Sequence, residues 1–276
     1  MGYEGRLCLC GMVYTNPKPP PGAIDYTVDH HPAEFYAYPA PFKARWMARH
    51  CPKGRLLEVG CGEGFFLAAA QALGYEVFGL EPHPERARRT REQLHIDVAQ
   101  SFLESHTLPT KSFDVVYHCD LLAHFPDPLG ALRTMSNLLR PGGVLCFEVG
   151  ILGGVSPFWY RLTGRIGLGY HLWLYSEPAV ESLLTQAGLR IGYLQRFGLA
   201  PRVIISRAKG GLRQLIGSAA TARHSAAAHL HAQRTQRGFN GWLLNFLRYR
   251  VGALVPGIGP QTLLIVARPE TEVGDT

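Results

Sequence analysis

The last third of this chain is almost without acid. Between Glu181 and Glu270 of its 276 residues there is no Asp or Glu. Arg202, Arg207, Lys209, Arg213, Arg223, Arg234, Arg237, Arg248, Arg250 and Arg268 all fall in the later part of that span. The net charge of +7 therefore belongs to the C-terminal third, and it points to an anionic partner or surface.

Long apolar runs are missing as well. No stretch reaches the roughly 20 residues needed to span a bilayer. The longest uncharged one, 251–267, is interrupted by Pro256 and Pro260. The six cysteines, at 8, 10, 51, 61, 119 and 146, lack disulfide-framework spacing, and no signal peptide precedes them. Reduced thiols and a cytoplasmic setting are expected. No residues form a Ser-His-Asp set or a two-carboxylate hydrolytic pair, which argues against hydrolysis.

What is present centres on Arg55-Leu-Leu-Glu-Val-Gly-Cys-Gly-Glu-Gly-Phe-Phe-Leu67. The run 56–59 reads as a short buried parallel strand, and 65–73 as a helix stopped at Gly74. Between them, Gly60, Gly62 and Gly64 allow a ligand to lie against backbone at a helix start. A dinucleotide turn has its third Gly one residue later and faces a pyrophosphate. Here Glu58 precedes the turn, and a carboxylate suits a cationic ligand better.

Strand and helix then alternate. Residues 76–81 form a second strand ending in Glu81, about 20 residues beyond Gly60, the offset at which a carboxylate accepts both ribose hydroxyls. A helix over 85–94, a strand over 96–102 and a strand over 112–117 follow. A helix over 129–139 stops at Arg140-Pro-Gly-Gly143, before a strand from Val144. This order predicts an α/β, doubly wound, mainly parallel sheet with ligand at its topological switch point.

The motif E-x-G-C-G-E-G, the stretch GLEPHPE and the segment 113–149 together resemble class I S-adenosylmethionine-dependent methyltransferases, of the small-molecule, ubiquinone-biosynthesis-like type. The resemblance covers the central half of the chain well and the ends more loosely. It implies a Rossmann-like, seven-stranded sheet whose last strand, 261–267, inserts antiparallel. It also implies S-adenosylmethionine as cofactor, held by Glu58, Gly60, Cys61, Gly62, Gly64, Glu81, Pro82, Cys119 and Asp120. Where the family often places an acid for the adenine, this chain has Ser101 and Phe102, a polar contact and an apolar wall. The segment 171–191 looks like an acceptor cover. His124 and His171 are the general-base candidates; the alternative for His124 is a structural role, and for His171 the capping of local backbone.

Four regions are expected. They are an irregular N-terminal cap over 1–50, a cofactor-binding core over 51–199, a basic helical insertion over 200–258, and a last strand with tail over 259–276. Cys8 and Cys10 resemble the end of a zinc knuckle whose first Cys pair is absent; four-ligand zinc needs more, so no metal is expected. The expected activity is methylation of a small organic acceptor, at oxygen. The alternatives are a tRNA or rRNA methyltransferase, weakened by the lack of an Asn/Asp-Pro-Pro-Tyr motif, and a non-catalytic cofactor-binding module. Peripheral contact with anionic membrane through the insertion is a further expectation.

Overall fold

Short apolar runs punctuated by glycine and proline become the strands of a seven-stranded mixed sheet. The computed structural model describes residues 4–19, 33–151, 171–197 and 261–270, with the single positions 243 and 247. The expected insertion and the stretch 153–160 otherwise lie outside the described residues. In chain order come β1 (Glu4–Leu7), β2 (Val13–Asn16), α1 (Ala33–Ala37), α2 (Ala40–His50), β3 (Arg55–Val59), α3 (Phe65–Gln71), β4 (Glu76–Leu80) and α4 (Pro84–Leu94). Then follow β5 (Val98–Ala99), β6 (Phe113–Cys119), α5 (Pro128–Leu138), β7 (Leu139–Ile151), β8 (Trp173–Leu174), α6 (Glu177–Gln186), β9 (Leu189–Phe197) and β10 (Gln261–Pro269).

The sheet runs β5-β4-β3-β6-β7-β10-β9. β3 pairs in parallel with β4 and β6, while β10 is antiparallel to both β7 and β9. Successive side chains along each strand feed opposite faces. Leu57, Val116, Leu145 and Phe147 pack under α5 and α6, with Leu132, Met135 and Leu184. Leu56, Val115, Tyr117 and Cys146 pack on the other face, with Ala44 and Met47 of α2 and Phe66 of α3. The helix starts carry their own caps. Asp127 accepts from the Gly130 N–H, Ser176 from Ala179 and His83 from Glu85, each with a proline in the first turn.

Three elements depart from the expected pattern. The strand expected over 96–102 shrinks to Val98–Ala99, because it is an edge that pairs only with β4. The Arg140–Gly143 stop does follow the end of α5 at Leu138, but it lies inside β7, at a register break between the pairs Phe113–Leu139 and Val115–Val144. Within the region expected to be irregular, β1 and β2 form a hairpin, and β8 pairs with β2 to make a second, three-stranded sheet.

His118, on β6, is fully buried and stacks on Phe147 with ring centroids 4.9 Å apart. Neither ring nitrogen has a hydrogen-bond partner among the described residues. Burial alone pushes its pKa down to about 3, so the folded ring stays neutral while an unfolded one charges near pH 6.5. The unfolded chain therefore binds the extra proton, and stability intact above pH 6.5 falls as the pH drops toward 3. Denaturant titrations at pH 7.5 and pH 5 should differ by about 2 kcal/mol from this group. His118→Leu should remove that share of the difference; an unchanged pH dependence in the variant would reject the assignment.

Candidate functional site

The chain enters the sheet at β3, winds outward to β4 and β5, then crosses back to β6 on the other side. The crevice beyond the carboxyl ends of β3, β4 and β6 is the place where such a sheet leaves room for a ligand. The glycine turn follows β3, Glu81 follows β4, and Asp120 follows β6.

Gly60, Gly62 and Gly64 all have left-handed φ, at 70°, 54° and 72°. A Cβ on Gly60 would lie 2.6 Å from Leu121 Cδ1, whereas one on Gly62 would meet nothing. Packing thus demands glycine at the first position, and backbone conformation alone demands it at the second. Among the described residues no atom lies within 4 Å of a Cβ placed on Gly62, so backbone is open to a ligand there. Cys61 is buried against Gly79; burial and the nearby Glu58 and Glu81 push its thiol far above the usual range, leaving it inert.

Glu81 is 4% exposed. Its Oε2 accepts from the Gly62 N–H at 2.8 Å, its Oε1 from the His83 N–H at 3.0 Å, and Arg86 approaches to 4.0 Å. A carboxylate fixed on both oxygens keeps lone pairs available for hydroxyl donors at one defined spot. Pro82 continues the same buried corner.

Glu58 lies deeper than the sequence suggests. It is 5% exposed, and its Oε2 is buried with no hydrogen-bond partner among the described residues. Burial raises its pKa well above the carboxylate range, opposed first by the Lys43 charge. Lys43 of α2 is the residue that sequence reasoning missed. Its Nζ sits 2.9 Å from Glu148 Oε2 and donates to Cys119 Sγ at 2.8 Å. The donor atoms of Cys119, Asp120 and Glu148 lie within 4.8 Å of one another, a spacing suited to a metal, but the cation among them is this lysine.

Asp120 takes a left-handed φ of 55°, and its N–H bonds the Glu148 carbonyl at 2.9 Å. It edges a cleft of about 60 Å³ whose other walls include Val149, Gly150, His171 and Trp173. The 171–175 segment is tied over that cleft. Leu172 N–H bonds the Ala123 carbonyl at 2.9 Å, Trp173 Nε1 the Phe125 carbonyl at 2.8 Å and Tyr175 Oη the Leu122 carbonyl at 3.1 Å. The two histidines singled out from sequence meet here, with ring centroids 4.9 Å apart. On the β5 side, Ser101 Oγ is turned to the Phe102 carbonyl and Ser105, and the Phe102 ring is 53% exposed.

A family model described as a methyltransferase domain matches residues 30–193, more than half of the chain. The chain belongs to the methyltransferase domain family. It falls among the class I S-adenosylmethionine-dependent enzymes that its motifs resemble, and S-adenosylmethionine is the cofactor of that class. The empty face of Gly62, the fixed Glu81 and the acid-rich floor fit a cationic nucleoside ligand of that kind.

Two curated relatives are similar over the same region, both named ubiquinone biosynthesis O-methyltransferase. That of Ruegeria pomeroyi is 38% identical over 153 residues, 49% of this chain and 59% of the relative. That of Cereibacter sphaeroides is 32% identical over 133 residues, 45% of this chain and 50% of the relative. The match thus spans about half the length of these curated relatives. Among solved structures, geranyl diphosphate C-methyltransferase from Streptomyces coelicolor aligns with a TM-score of 0.54 at 16% identity, covering 83% of this chain and 78% of its own. The cyclase SpnF aligns with a TM-score of 0.54 at 18% identity, over 83% and 80%. These likenesses concern the fold, which hosts more than one chemistry.

Proposed function

We propose that this protein methylates a hydroxyl of a small organic acceptor, using S-adenosylmethionine as donor. The observation that carries this reading is the small cleft between the Asp120 edge of the cofactor crevice and the His171–Trp173 cover. S-adenosylmethionine supplies a methyl group already activated on a sulfonium. The protein's task is to hold, align and keep dry. Glu81 would hold the ribose, with Pro82 shaping that corner. Gly60, Cys61, Gly62 and Gly64 would give the backbone surface, and Asp120, with Cys119 packed behind it, would meet the donor's amino group. Glu58 would act from below, as the buried carboxyl of β3 next to the turn. Ser101 and Phe102 would border the adenine.

The ubiquinone-biosynthesis names of the relatives support a hydroxyl acceptor, as does the His171 imidazole lining the cleft with the His124 ring 4.9 Å from it. A hydroxyl of high pKa needs a proton taken away as the methyl arrives, and a neutral histidine is suited to that. The tRNA or rRNA alternative rests only on the charge of the C-terminal third. The same arginines, over 200–258, are the reason to expect contact with an anionic membrane surface. No described helix is long and apolar enough to cross a bilayer.

Assays with hydroxybenzoate acceptors test the reading. His171→Ala should lower kcat by about 100-fold or more while leaving S-adenosylhomocysteine affinity unchanged. His124→Ala should behave likewise if the proton leaves through the pair, and only weakly if His124 merely orients its neighbour. Loss of cofactor affinity in step with kcat would mean that the histidines build the donor site instead.

A further inference from the structure

A second cleft lies beside α2 and shares no lining residue with the first. It measures about 210 Å³ and sits between that helix and the edge strand β9. Arg45 and Arg49 of α2 flank it one helical turn apart, with His50 at the helix end and Trp46, Tyr193 and Gln195 forming the wall. Neither arginine has an ion pair among the described residues, and no carboxylate lines the cleft.

Cations in a last helical turn are ordinarily explained by the helix dipole, and that accounts for Arg49 and His50. It does not account for Arg45, a full turn earlier, whose guanidinium carbon lies 5.4 Å from the ring centroid of Phe42 in the same cleft, nor for the shaped aromatic wall. The wall is built. His50 stacks on Tyr193 with centroids 3.9 Å apart at 19°, and Trp46 Nε1 donates to Gln195 Oε1 at 2.5 Å. Tyr193 nonetheless remains 40% exposed. The segment that follows β9 cannot neutralise the cleft, since no Asp or Glu occurs between Glu181 and Glu270. Burial, and after it the Arg49 charge, lower the His50 pKa.

We propose that this cleft binds a phosphate monoester carried on a flat ring, with Arg45 and Arg49 on the oxyanion and the Trp46–Tyr193 wall against the ring. Two guanidinium forks match phosphate geometry bidentately, and an aromatic wall beside them selects planar groups over aliphatic ones. The site is independent of the methyl-transfer reading, because none of these residues borders the cofactor crevice.

Calorimetric titration of the full chain with phenyl phosphate, orthophosphate and soluble dihexanoyl phosphatidate separates the sources. Phenyl phosphate should bind best, and Arg45→Gln and Arg49→Gln should each weaken it by about tenfold. Tyr193→Ala should keep orthophosphate affinity while erasing the advantage of the ring. In both arginine variants S-adenosylhomocysteine should bind as in the parent, which reports an intact fold. The His50 ring, followed by NMR, should titrate at higher pH once phenyl phosphate is bound. Absent binding at millimolar phenyl phosphate, binding undiminished in the double arginine variant, or a preference for the phosphatidate would each overturn the assignment.

Discussion

Glu81→Gln should weaken binding of S-adenosylhomocysteine by about 100-fold, while the protein stays folded. The estimate takes the low end for two charge-assisted hydrogen bonds to ribose hydroxyls, about 1.5 kcal/mol each. The wild-type carboxylate already accepts from the Gly62 and His83 N–H groups, one on each oxygen. A carboxamide keeps the shape but turns an NH2 toward one of those donors, so the variant loses charge and gains a local clash. Those two causes separate with a donor-product analogue lacking one ribose hydroxyl. Wild type should lose affinity for the analogue, and Glu81→Gln should lose little more. An equal loss in both proteins would place the ribose elsewhere and leave Glu81 as a brace for the glycine turn. Thermal melting of the two proteins without ligand reports the cost of that brace.

Glu81 was readable before any fold was known because its signal is local. A short apolar run ends in a carboxylate at a fixed offset from a glycine turn, and β-strand geometry does the rest. The same holds for Gly60 and Asp120, which sit where loops must leave a parallel sheet. Glu58 was half legible. The sequence places it before the turn, but not its depth, which depends on α2 and α3 packing over that face of the sheet. The short β5 and the register break in β7 were hidden for a related reason. Apolar pattern specifies which residues are buried, and Ile96 is indeed buried, but pairing partners decide whether a buried residue is in a strand. The pairing of β2 with β8 joins residues over 150 positions apart, and nothing in a hairpin sequence announces it.

Lys43 lies at the far end of that scale, since in sequence it reads as one more solvated cation on an arginine-rich helix. Lys43→Met should cost about 3–5 kcal/mol of folding stability, the usual result of stripping one partner from a buried ion pair. Methionine nearly conserves the volume, so the loss reports charge more than packing. The lysine side chain is 11% exposed and that of Glu148 is fully buried, with the pair 2.9 Å apart. Without the ammonium, Glu148 loses the cation 2.9 Å from its Oε2, and Glu58 loses the main influence that opposes its own burial. The Glu58 pKa then rises further in the folded state. An unfolded carboxyl ionises near pH 4.3, so the penalty is absent below that and grows as pH rises. The gap between wild type and Lys43→Met should therefore be widest at neutral pH and close toward pH 4 in denaturant titrations. Lys43→Met combined with Glu148→Gln should recover much of the loss, because the carboxylate 2.9 Å from the lysine is gone and only Glu58 still lacks the lysine's charge. A double variant as unstable as the single one, with a gap indifferent to pH, would mean that the lysine stem holds α2 on the sheet by packing. The pair, if charge governs it, makes the position of α2 and the acid-rich floor of the crevice a single unit. Loss of the lysine should then also weaken S-adenosylhomocysteine binding at pH 7.5, where the stranded carboxylates repel or rearrange.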